Sequence, residues 1–103
     1  MSVPKRYQRF QEDFPEVASA YEAMGEAVHH SGPLDEKMRA LIKLAISTGA
    51  RMEGAVHSHA RKAIKVGCTA EEMTHAVMLA LPTIGLPSTM AAISWLEDVL
   101  NKD

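Results

Sequence analysis

Apolar residues recur along this chain at close to 3.6-residue spacing, and the breaks between the runs are marked by proline, glycine and capping residues. Val17, Ala20, Tyr21, Met24 and Val28 predict a helix from about Phe14 to His29, with Asp13 as candidate N-cap, Pro15 in the first turn and Ser31-Gly32-Pro33 as its end. A second helix begins near Asp35, with Met38, Leu41, Ile42 and Ala45 as its buried stripe, Leu44 and Ile46 widening it, and Glu36, Ala40, Lys43 and Ser47 on the far side. Gly49 or Arg51 closes it. A very short link then leads into the stretch Met52–Gly67, where Met52, Ala55, Val56, Ala60, Ala63 and Val66 form the next stripe. The two helices are expected to pack as a hairpin. Gly67 stands where a helix C-terminus turns with positive φ.

Thr69 and Glu72 fit the capping box of a further helix carrying Met73, Ala76, Val77 and Ala80. Pro82 interrupts it. The last helix opens at Pro87 and runs through Met90, Ile93, Leu96 and Val99 to Leu100. Residues 1–13, polar apart from Tyr7 and Phe10, read as an arm or short helix. The expectation is an all-α fold of about five to six helices in a single domain over 1–103.

Composition narrows the function classes. With a formal net charge of −2, a pI near 6.2 and no long basic run, nucleic acid is not an expected partner. No apolar run reaches the ~18 residues of a membrane span, and the N-terminus has no signal-peptide core. A cytoplasmic protein is expected. Cys68, the one cysteine, allows no CxxC pair. The segments around Leu41–Ile46 and Met73–Leu81 are apolar over more than one face, which predicts a homo-oligomer.

The candidate chemistry centres on His59, which falls inside the apolar stripe of its helix, between Val56 and Ala63. Such a histidine is either a hydrogen-bonded core group or an acid/base residue. His57 and His59 lie two apart, so on a helix they point about 200° away from each other and do not chelate one metal. No metal or cofactor is expected. His29 and His30 sit at a helix C-terminus, where the dipole favours imidazolium, and His75 is off the main stripe of its helix. Arg51 and Arg61 are candidate clamps for a carboxylate ligand near His59.

The segments LDEKMRALIKLAIS, HARKAIKVGCTAEEM and GLPSTMAAISWLEDVL, with the preceding FPEVASAYEAM, resemble the carboxymuconolactone decarboxylase family, which includes the alkylhydroperoxidase D proteins. The pattern H-x3-A-x3-G-x-[ST]-x2-E is met by His59, Ala63, Gly67, Thr69 and Glu72, and the G-x-P of Gly85 to Pro87 follows. The resemblance implies an alkylhydroperoxidase D-like helical bundle, assembled as trimers or hexamers. The family's peroxidase branch uses C-x2-C-x3-H with a glutamate twelve residues before the first cysteine. Those positions here are Met52, Ala55, His59 and Ala40, so only the histidine remains. Peroxide reduction by that route needs an attacking thiolate and a resolving thiol, and neither is present.

The decarboxylase branch is the better match. It acts on a carboxylated muconolactone, which implies a lyase or isomerase with His59 as acid/base group and Arg51 or Arg61 holding a carboxylate. Peroxiredoxin-type activity and a non-catalytic oligomeric binding or structural protein are the alternative readings.

Overall fold

The computed structural model describes residues 4–101. Among these, all regular structure is helical: α1 Lys5–Asp13, α2 Pro15–His29, α3 Glu36–Gly49, α4 Glu53–Lys65, α5 Ala70–Met78, the single turn α6 Leu81–Ile84, and α7 Leu86–Leu100. None is long and apolar enough to cross a membrane. The chain divides into two compact units, one up to Pro33 and one from Leu34 onward.

In the first unit, the polar N-terminal segment is helical over Lys5–Asp13, residues 1–3 lying outside the described residues, and Tyr7 Oη and Gln11 Nε2 each donate to Glu22 Oε2 at 3.0 Å, tying α1 to α2. The N-cap of α2 is Phe14, with no side-chain cap, so the expectation for Asp13 is corrected: Asp13 is the last residue of α1. Val17, Tyr21, Met24 and Val28 lie on α2 with more than half of each side chain exposed.

The second unit has its own core, built from Leu44 of α3, Val56, Ala60 and Ala63 of α4, Cys68, Met73 and Val77 around α5, and Ala92 and Leu96 of α7. Small residues along α4 let α3 and α7 approach it closely, and α5 packs on α3 and α7. The buried face of α3 is not the one its large apolar residues suggest. Leu44, Ser47 and Thr48 are buried, whereas Met38, Ile42 and Ile46 are 48%, 41% and 64% exposed. Ser47 Oγ and Thr48 Oγ1 donate to the carbonyls of Lys43 and Leu44 one turn back, at 2.7 and 3.0 Å. Their hydroxyls are thus satisfied within the helix, and two small polar residues enter a core at little cost. Met38, Ile42 and Ile46 face outward, while Leu44 is in the core and Leu41 packs against it.

Helices α3 and α4 end in the same way. In each, one amide past the helix end closes a six-residue loop and the amide before it closes a four-residue loop nested inside, the Schellman arrangement. For α3 these bonds are Met52 N to Ser47 O at 3.2 Å and Arg51 N to Thr48 O at 3.0 Å; for α4 they are Cys68 N to Ala63 O at 2.9 Å and Gly67 N to Ile64 O at 3.0 Å. The left-handed position is Gly67 (φ +94°) in one and Arg51 (φ +59°) in the other. The capping box of α5 is complete: Glu72 N donates to Thr69 Oγ1 at 3.0 Å and Thr69 N to Glu72 Oε1 at 2.8 Å. Leu81-Pro82 forms its own turn, and Gly85 with φ +97° opens α7.

Candidate functional site

His59 lies in the middle of α4, half-buried, flanking the fully buried line of Val56, Ala60 and Ala63. It is neither sealed in the core nor out in bulk solvent. Its side of α4 continues to Lys62, one turn on, because residues three apart are neighbours on a helix surface. Across the hairpin, Lys43 of α3 stands within electrostatic range of Lys62 and of Arg39. Burial pushes the Lys43 ammonium below the ordinary lysine value, and the repulsion of Lys62 and Arg39 pushes it further the same way. Arg39 is itself anchored, its guanidinium donating to the carbonyl of Leu34. Lys62, one turn from His59, and Lys43, on which it acts, thus bring two cations to this part of the hairpin, the kind of group that receives an anion.

The two arginines singled out from the sequence are placed differently. Arg61 is two residues from His59 on the same helix, about 200° around it, and belongs to the flank that carries His57. Arg51 is exposed and precedes α4 by two residues, with the whole amino half of that helix between it and His59. Lys62 and Lys43 were legible only in part. The i, i+3 spacing of His59 and Lys62 is visible in the chain, but the rotation of α3 that turns Lys43 toward α4 is not.

Cys68 follows the positive-φ Gly67, beyond the end of α4, and is buried. Burial and the nearby Glu72 carboxylate push its thiol above the ordinary cysteine value, with Lys37 opposing and Asp35 adding to the rise. Its Sγ is 3.7 Å from the Lys37 carbonyl. A buried, protonated thiol of this kind is a poor nucleophile.

Two further features are in the second unit. An open groove of about 370 Å³ runs between α3 and α5–α6, walled by apolar side chains such as Leu41, Ile42, Leu79 and Ile84, with Glu72, His75 and Thr83 as its polar groups. His59, Arg51 and Arg61 do not line it. Separately, His57 Nε2 lies 3.0 Å from Asp98 Oδ2 of α7. Glu53, one turn before His57, brings a carboxylate to the same place.

The sequence model of the carboxymuconolactone decarboxylase family matches residues 15–98. The crystal structure of an apo carboxymuconolactone decarboxylase family protein from Legionella pneumophila is similar with a TM-score of 0.81, covering 93% of this chain and 86% of that one at 26% identity. An uncharacterized protein of Haemophilus influenzae is 34% identical over 61 residues, 59% of this chain and 54% of the relative. The chain thus matches about half the length of that relative.

Proposed function

This chain belongs to the carboxymuconolactone decarboxylase family, and from that premise we propose that it is a lyase or isomerase acting on a small carboxylated substrate, with His59 as its acid/base group. The observation that carries the reading is the half-buried His59 one helical turn from Lys62, whose charge acts on Lys43 across the hairpin. In a decarboxylation the carbon–carbon bond to the carboxylate breaks, CO₂ leaves, and the electron pair stays on the substrate carbon. Protonated His59 delivers the proton that quenches it. The cations hold a carboxylate and stabilise the negative charge as it spreads. Lys62 and Lys43 are better placed for this than Arg61, which lies around the helix, or Arg51, which lies toward its end.

Thiol peroxidase chemistry is not supported. Met52 and Ala55 stand where that branch carries its cysteines, and the remaining thiol, Cys68, is buried and held protonated. We also assign self-association to this chain, a second copy covering the outward apolar residues of α3, where Ile42 borders the groove.

The test is turnover of a carboxylated muconolactone by four single variants with unchanged circular dichroism. Lys62→Ala is expected to raise KM at least several-fold, while Arg61→Ala leaves it within about twofold. His59→Ala is expected to lose at least about 100-fold in kcat, the lower end of what general acid–base catalysis supplies. Arg51→Ala separates the remaining possibility: a larger KM effect there than in Lys62→Ala moves the carboxylate to the amino end of α4. Full activity in His59→Ala rejects the reading.

A further inference from the structure

On the flank of α4 opposite His59, three groups of metal-ligand type converge. Glu53 and His57 are four residues apart on α4, so both project from one face, and Asp98 reaches them from α7. One donor atom from each lies within 4.8 Å of the other two. We propose that Glu53, His57 and Asp98 form a binding site for a divalent first-row transition ion, zinc being the reference case.

The distances suit such an ion. Nitrogen and oxygen ligands about 2.1 Å from zinc are separated from one another by roughly 3.0–3.4 Å, and His57 Nε2 and Asp98 Oδ2 already stand 3.0 Å apart. An ion therefore replaces the proton now shared between imidazole and carboxylate, with His57 in the Nδ1-protonated form and its Nε2 lone pair on the metal. Glu53 has to close at most the remaining gap, and it is exposed and free to change rotamer. The donor set points to a transition ion rather than magnesium or calcium, because imidazole suits zinc, cobalt and nickel whereas the alkaline-earth ions take oxygen. Two carboxylates leave the place net negative even with Arg61 one turn beyond His57 on the same flank.

Three protein ligands leave at least one position for water. The side chains of His57 and Asp98 are 25% and 58% exposed, which keeps that position open to solvent. The ion also clips the amino half of α4 to the carboxyl half of α7, so it stabilises the fold by mass action.

Zinc chloride titrated calorimetrically into the metal-stripped full chain tests the assignment. The expected result is one ion per chain with Kd below about 100 μM, weakened at least tenfold in both His57→Ala and Asp98→Asn, and unchanged in Cys68→Ser and His59→Gln. Cobalt in place of zinc is expected to give weak d–d bands with no thiolate charge-transfer absorption. The side chains of His57 and Asp98 are partly exposed, and circular dichroism verifies that each variant, including the one at buried Cys68, is folded. Absence of binding up to ~1 mM zinc overturns the proposal. So does binding that survives in His57→Ala and Asp98→Asn, or that disappears in Cys68→Ser.

Discussion

Arg51 and Gly67 occupy equivalent positions at the ends of consecutive helices, and only one of them suits the backbone it adopts. A side chain at φ +59° places Cβ against the following carbonyl, at a cost of about 1–2 kcal/mol that glycine does not incur. Replacing Arg51 by glycine is therefore expected to stabilise the chain by about 1 kcal/mol after the added unfolded-state entropy is set against the relief. Thermal unfolding should shift upward by roughly 4–8 °C, the scale for a domain of this size. A lower midpoint would mean that the arginine makes contacts worth more than its strain. His59 was legible in the chain because a histidine in a run of small and apolar residues stands out against the helical period. Lys43 was not. A lysine on the presumed far side of a helix reads as solvated, and only the packing of α3 on α4 brings it beside Lys62 and lowers its proton affinity.

At the scale of helices, the capping signals were the readable part. Asp35 caps α3 by accepting from Met38 N at 2.9 Å, and Thr69 and Glu72 close their reciprocal box. What could not be read was which face of α3 is buried. Hydrophobic periodicity assigns the inside to Met38, Leu41, Ile42 and Ala45, and takes Ser47 for a surface residue. Self-satisfied hydroxyls at Ser47 and Thr48 reverse that, since a residue with no unpaired polar atom and little volume fits where two helices cross closely. Thr69→Ala is expected to cost about 1 kcal/mol, measured by chemical denaturation.

The cap also has a pH signature. The Thr69 backbone amide, with Lys37 assisting, holds the Glu72 carboxyl below its ordinary value of 4.5. A carboxylate whose folded pKa is depressed contributes stability that is complete above the unfolded pKa and is lost as pH falls through the folded one. The acid limb of the stability curve below about pH 4.5 is therefore expected to be shallower in Glu72→Gln than in the parent chain. Parallel acid limbs would contradict the cap's role.

For the molecule as a whole, part of the exposed apolar surface lies on α3 and at the rim of the groove. Met38, Ile42 and Ile46 recur every fourth residue along the outside of α3, and Leu79 adds to the rim of the groove with 61% exposure. A chain of 11.2 kDa that leaves such side chains in water gains by covering them. Self-association through this face predicts that Ile46→Glu lowers the mass measured by light scattering to that of one chain while the helical content is kept. A parent chain that already measures 11.2 kDa, or a variant that assembles as before, would remove the prediction. Membership of the family was legible from His59 and from Gly67, Thr69, Glu72 and the Gly85–Pro87 turn, the latter group doing backbone work: two positive-φ glycines, a complete cap and a helix opening. The Glu53–His57–Asp98 group was not legible, since Asp98 is 41 residues from His57 and only the packing of α7 on α4 joins them.

In the proposed reaction the imidazole of His59 moves the proton. Release of CO₂ from a carboxylated muconolactone, followed for the parent chain and for His59→Gln at equal folded concentration, measures it most directly. Glutamine keeps a side chain of similar reach and polarity but has no titrating nitrogen. Measurable release by the parent is expected, with a rate at least about 100-fold lower in the variant. Equal rates would contradict it and leave His59 as a structural residue of α4.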